Sequence, residues 1–206
     1  MDDDILNMLK RLRAIADTGL LYAKDDYDIE RYEEIRELNT RLMGKYTGHE
    51  KENLVKMFPA VTDYPTAKVD VRGLVLSPDR GILLVRERAD GKWSLPGGWA
   101  DIGFTPSETI IKEFEEETGL DVRPVRLLGV MDKKMHPHPP QPFYVYKMVF
   151  YCETLSGTLQ KGFDVLDVGY FSINALPELS EDRILKSQIE MLYRKVISED
   201  KVPYFD

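Results

Sequence analysis

Glu113, Glu116 and Glu117 stand at i, i+3 and i+4 in the stretch from Thr105 to Leu120. In a helix those spacings bring all three carboxylates to one face. Like charges so placed disfavour a helix by roughly 0.2–0.5 kcal/mol per pair, so the pattern makes most sense with a cation among them. Carboxylates are hard oxygen donors that suit Mg2+, with Mn2+ as the alternative. For the helix alone, the plainer reading is a solvated acidic face. The Gly97-Gly98 turn upstream shifts the balance, because backbone without side chains can approach a ligand closely.

Arginine is the side chain best shaped for phosphate oxygens. Arg72 lies in Lys68 to Leu76, where Val69, Val71, Gly73 and Val75 alternate with it, so it points away from their face and can look into a pocket. Arg86 and Arg88 share a face of the segment from Ile82 to Arg88. All three are candidate substrate-binding residues, although strand-end arginines are more often simply solvated. His136 and His138 lie in a proline-rich run that excludes regular structure. A zinc site there lacks a third donor, since Cys152 is distant. Trp93 and Trp99 are expected to pack.

Local signals set the elements that must hold these groups. Thr105 reads as an N-cap, Pro106 as the first helical residue, Glu108 as the other half of a capping box and Gly119 as the C-terminal stop. Ile110, Ile111 and Phe114 are expected to anchor that helix in a core. Upstream, residues 4–18 form an amphipathic helix through Ile5, Met8, Leu9, Leu12, Ile15 and Ala16, ending at Gly19. Asp28 then caps a second helix bearing Ile29, Tyr32, Ile35, Leu38 and Leu42 and ending at Gly44, and a third piece runs from Glu50 to Phe58. Pro59 and Pro65 mark a linker. Residues 68–76 and 82–88 read as a hairpin, 122–133 and 143–153 as strands, and Ser180 as the cap of a last helix carrying Ile184, Leu185, Ile189, Leu192, Tyr193 and Val196. The expected domains are a helical unit at 1–64 and an α/β unit at 65–206. So small a helical unit should dock on the main domain or on a second copy.

Composition narrows the function classes. The 206 residues carry a net charge of -8, with 43% hydrophobic and 31% charged residues, which reads as globular. No basic stripe offsets the acid, which argues against a general nucleic-acid binder. With Cys152 alone, no intramolecular disulfide can form. The acidic start Met1-Asp2-Asp3-Asp4 and the lack of a long apolar run leave neither export nor membrane insertion expected, so a cytoplasmic protein fits.

The turn and helix together resemble the Nudix box: Gly98, Glu113, Phe114, Glu116, Glu117, Gly119 and Leu120 match, whereas Phe104 stands where the family has Glu and Lys112 where it has Arg. The resemblance extends through Thr18 to Tyr22, Tyr32 to Arg36, Val69 to Gly73 and Trp93 to Asp101 to the Gram-positive CDP-choline pyrophosphatase group. It implies a Nudix α/β/α sandwich with a mixed sheet, preceded by a small helical domain that forms a homodimer. It also implies Mg2+ held by Glu113, Glu116, Glu117 and the Gly97 carbonyl. Attack of water on the diphosphate would then proceed with Glu116, Glu117 or Asp164 taking its proton; Asp164 is favoured over Asp167 because an acid often lies just ahead of the closing strand. The implied substrate is a nucleoside diphosphate joined to another group, CDP-choline first. ADP-ribose or a nucleotide sugar, RNA 3′-end trimming, and a non-catalytic nucleotide sensor are the alternatives.

Overall fold

A computed structural model describes residues 3–59 and 62–206. Two compact units result, Met1–Ala67 with Pro140–Tyr144, and Lys68–Pro139 with Val145–Asp206. Met1 and Asp2 of the acidic start, and Ala60 and Val61 of the expected linker, lie outside the described residues.

In the first unit α1 (Asp3–Tyr22) and α2 (Asp26–Thr47) form a hairpin, and α3 (Lys51–Met57) closes its end. Leu9, Met43 and Leu54 make a small core flanked by Ile5, Tyr46, Met57 and Phe58. Polar groups share the interface. Arg13 donates to Asp17 at 2.8 Å and to Thr40 at 3.1 Å, and Asn39 Nδ2 donates to the Leu9 carbonyl at 2.7 Å. Gly19 is no stop, because α1 runs through it; a Cβ there would lie 2.4 Å from the Tyr32 ring, so the glycine serves close helix approach. Asp25, not Asp28, caps α2, and Gly48 at φ +72° ends it beyond Gly44. Met8, Leu12 and Ile15 of α1, with Leu38 and Leu42 of α2, stay exposed. Phe143 packs on Phe58 with ring centroids 5.4 Å apart, so the strand expected from residue 143 starts later.

The second unit is the α/β/α sandwich. Its elements in order are β1 (Lys68–Leu74), β2 (Ile82–Glu87), β3 (Trp93–Ser94), β4 (Gly97–Trp99), α4 (Pro106–Thr118), β5 (Leu120–Asp132), β6 (Val145–Gly157), β7 (Val165–Phe171), α5 (Lys186–Ile197) and β8 (Tyr204–Phe205). A mixed sheet has the order β4-β1-β6-β5-β8, with β1 parallel to β6, and a smaller antiparallel sheet has the order β3-β2-β7. One face of the main sheet packs Val71, Val75, Val122 and Cys152 against Ile110 and Phe114 of α4. The other packs Leu74, Leu128, Met131 and Val149 against β2 and against Ile189 and Leu192 of α5.

The expected β1–β2 hairpin survives only at its tip, where Leu76 bridges Ile82; beyond it the strands part into different sheets. Ser180 does not cap α5. It closes a separate turn, its carbonyl accepting from Arg183 at 2.8 Å and Ile184 at 2.9 Å, while α5 starts after Leu185, whose N–H donates to Gln188 Oε1 at 3.1 Å. Among the described residues no helix is long and apolar enough to cross a membrane.

Candidate active site

The acidic helix forms as its caps dictate. The Glu108 N–H donates to Thr105 Oγ1 at 3.2 Å, the Thr105 N–H donates to Glu108 Oε2 at 2.8 Å, and Gly119 ends the helix at φ +68°. Ile110 and Phe114 are buried, fixing the rotation of α4, whereas Ile111, one position round, remains in solvent. That rotation grades the three carboxylates. Glu117 is 4% exposed, Glu113 is half-buried and Glu116 faces solvent.

Each buried carboxylate meets one glycine of the turn. Glu117 Oε2 accepts the Gly97 N–H at 2.9 Å. Glu113 lies against Gly98, where a Cβ would fall 2.5 Å from its Oε1. Gly97 has φ +135°, and a Cβ there would come within 2.2 Å of the Val71 carbonyl oxygen, so backbone sign and space both demand glycine. Burial pushes Glu117 up to about 8, with Arg72 and the Gly97 N–H opposing and the charges of Glu113 and Glu87 adding. Glu113 is raised too, by burial first, with Glu116 and Asp164 contributing.

Arg72 is buried, and its guanidinium is engaged by protein partners. It is 6% exposed, its Nε donates to Asp70 at 2.9 Å, and its Nη1 reaches the Leu95 carbonyl at 2.9 Å, Ser94 Oγ at 3.2 Å and Glu87 at 3.4 Å. Burial opposes its charge, but Asp70, Glu87 and Glu117 hold the guanidinium above its ordinary pKa. Asp70 in turn accepts from the buried Lys147, and against its burial the two cations keep it ionised. Glu87 also meets Arg183 at 3.0 Å. Neither Asp70 nor Lys147 carries a local signal; only the parallel register of β1 and β6, which sets them side by side, reveals the pair.

The loop ahead of β7 is clamped to the end of α4. The Gln160 N–H donates to the Thr118 carbonyl at 3.0 Å and the Gly162 N–H to the Glu117 carbonyl at 3.1 Å, and a Cβ on Gly162 would sit 1.7 Å from the Glu116 carbonyl oxygen. This sets Asp164 close enough to Glu113 for its charge to act there, with its Oδ1 buried and without a hydrogen-bond partner. Asp167 is exposed and bonds its own neighbour, the Val168 N–H, at 2.9 Å, so the two aspartates part company. Arg88 Nη2 donates to the Phe163 carbonyl at 2.7 Å, beside Asp164, whereas Arg86 Nε donates to the Gly91 carbonyl at 2.7 Å and shapes its own turn. Phe104 and Lys112, the two departures from the box, meet each other: Lys112 Nζ lies 5.4 Å from the Phe104 ring centroid and 3.2 Å from Asp101. Trp93 packs edge-on against Phe171, but Trp99, expected to pack, is half-exposed under Lys68.

His136 and His138 take separate partners, Asp206 at 3.3 Å and the Glu181 carbonyl at 2.6 Å. The carbonyl contact makes Nδ1 the protonated nitrogen of His138 and leaves Nε2 a buried acceptor without a partner. Burial lowers its pKa to about 4, with Lys133, Lys147 and His136 adding to the effect. The unfolded chain therefore binds the extra proton between that value and the ordinary 6.5, so this contribution to stability is lost as pH falls through that window. Urea unfolding from pH 7 to pH 4.5 should show a steeper acid loss for wild type than for His138→Asn.

The donor set fits a hard divalent cation in kind, since it offers oxygens alone and includes a carboxylate whose burial raises its pKa to about 8. Among the described residues no three His, Cys, Asp or Glu side chains already converge as a ligand set.

Comparison with known proteins agrees with this architecture. Residues 66–192 match the NUDIX domain, and residues 3–58 match the UDP-X-like, N-terminal oligomerisation domain. The chain is 42% identical over 201 residues to the putative ADP-ribose pyrophosphatase YjhB of Bacillus subtilis, covering 98% of this chain and 96% of that one. It is 32% identical over 122 residues to an ADP-ribose pyrophosphatase of Methanocaldococcus jannaschii, covering 58% of this chain and 69% of that protein. The crystal structure of a UDP-X diphosphatase superposes with TM-score 0.64 at 37% identity over 100% of both chains. With a capped acidic helix set against a Gly-Gly turn, and family models matching both of its units, the chain belongs to the Nudix hydrolase family.

Proposed function

We propose that the protein hydrolyses the diphosphate bridge of a nucleoside diphosphate joined to a second group, converting CDP-choline to CMP and phosphocholine. The observation that carries the reading is the graded trio of carboxylates, with Glu117 and Glu113 fixed against Gly97 and Gly98 and Glu116 open to solvent beside them. Mg2+, or Mn2+ in its place, would be held by Glu113, Glu116, Glu117 and the Gly97 carbonyl, and would supply charge neutralisation at the phosphates and a more acidic water. Asp164, or a box glutamate, receives the proton as water oxygen bonds to one phosphorus and the bridging P–O bond breaks. The departing phosphate keeps that bond's electron pair. Arg88 is the arginine best placed to face the phosphates, since its anchor is next to Asp164. Arg72 supports the carboxylates from beneath, and Arg86 is left a role in its own turn.

ADP-ribose is the second reading, favoured by the names of the Bacillus and Methanocaldococcus relatives. Purified protein with Mg2+ should be offered CDP-choline, ADP-ribose, a UDP-sugar and a short RNA in parallel, with Glu116→Gln as control. Metal-dependent CMP release, absent in the control, supports the first reading, and AMP from ADP-ribose alone moves the assignment to the second. Nucleotide binding without turnover of any substrate would make the protein a sensor.

We also propose a homodimer through the first unit. Met8, Leu12 and Ile15 stand one helical turn apart on α1, and Leu38 and Leu42 do so on α2, leaving an apolar stripe in solvent on a unit that matches an oligomerisation domain. Light scattering after size exclusion should report twice the chain mass for wild type and the single-chain mass for Leu12→Glu/Leu38→Glu.

A further inference from the structure

Phe163 is an aromatic side chain left 81% exposed, on backbone that hydrogen bonds tie down on either side. Gly162 before it is tied to the Glu117 carbonyl, its own carbonyl is held by Arg88 at 2.7 Å, and Lys161 Nζ reaches across to the Leu166 carbonyl at 3.3 Å. The next residue is Asp164, whose charge acts on Glu113. A phenyl ring in water forgoes much of its burial energy. A ring held out in this way beside a phosphate-handling site is pre-organised for a flat partner.

Two other exposed aromatics border the carboxylates, but both have a face engaged. Lys68 Nζ lies 5.4 Å from the Trp99 ring centroid and Lys112 Nζ 5.4 Å from that of Phe104. Phe163 has neither a ring nor a cation partner among the described residues. We propose that Phe163 is the stacking platform for the nucleobase of the substrate, resting on the reading of the adjoining carboxylates as the diphosphate site. Stacking accepts any base, because every base has a π-face. Phe163 therefore adds affinity for nucleosides as a class and leaves the choice of base to other contacts.

The test compares Phe163→Ala, Phe163→Tyr and Phe163→Trp with wild type. Phe163→Ala should raise KM for the substrate that wild type hydrolyses by about tenfold or more with kcat within about twofold, and Phe163→Tyr should restore it. CMP and AMP should lose the same factor as inhibitors, while ribose 5-phosphate, which has no base, should inhibit both proteins equally. In Phe163→Trp the added indole fluorescence should be quenched by CMP and AMP but not by ribose 5-phosphate. Equal weakening of all three ligands, or no change in any, would overturn the proposal, as would a change of oligomeric state in Phe163→Ala, which would mean that a second copy covers the ring. If wild type turns over no substrate, the catalytic reading falls, and the quenching experiment still decides the stacking.

Discussion

Glu116→Gln is expected to lower turnover by about a thousandfold or more, roughly 4 kcal/mol of transition-state stabilisation, while leaving the unfolding midpoint almost unchanged. Glu116 faces solvent, so its neutral isostere removes charge from the site without opening a hole in the protein. Glu117→Gln should be as inactive for a different structural reason. The amide oxygen can still accept the Gly97 N–H, which wild type holds at 2.9 Å, so the turn keeps its shape although the second anionic donor is gone. Initial rates at saturating Mg2+, paired with urea unfolding of the same preparations, separate lost chemistry from lost fold. Turnover by Glu116→Gln at the wild-type rate would remove the carboxylates from the mechanism.

The second large effect concerns stability. Arg72→Met is expected to cost about 3–5 kcal/mol, because it removes the buried cation that Asp70, Glu87 and Glu117 share, although Asp70 keeps Lys147 and Glu87 keeps Arg183. Lys147→Met should also destabilise, but less, since Arg72 stays 2.9 Å from Asp70. The double variant Asp70→Leu/Lys147→Met should cost less than the sum of its parts, because an apolar pair leaves neither charge uncompensated. Urea unfolding of the two singles and the double gives the coupling directly. An arginine that only contacted substrate would change KM and leave the midpoint alone.

What could be read from the chain was what local chemistry dictates. The capping box at Thr105 and Glu108, the glycine stop at Gly119 and the buried positions Ile110 and Phe114 act within one turn of the helix, and α4 formed where they placed it. Gly19 and Gly44 gave the same kind of stop signal inside helices that tertiary packing carries through, since the α1–α2 contact needs a missing Cβ at Gly19 and the next cap is Gly48. The β1–β2 turn was legible, but the divergence of its strands depends on partners far along the chain. Strand alternation turns Arg72 away from the apolar face, yet its destination depends on Asp70, Glu87 and Ser94, which only the assembled strands bring within reach. Gly162 looks like any loop glycine until the closing carbonyl of α4 is found where its side chain would have been.

The position of the glutamates along α4 has a kinetic corollary. Peptide dipoles leave about half a negative charge at a helix C-terminus, and Glu113, Glu116 and Glu117 fill the last turn and a half with no basic residue in the final turn. The amides that close this end, from Gln160 and Gly162, are neutral. An arriving diphosphate therefore meets an electrostatic barrier until a cation has loaded. Under the proposed chemistry, binding is ordered with the metal first, and raising Mg2+ should increase the apparent association rate of the nucleotide until the site fills.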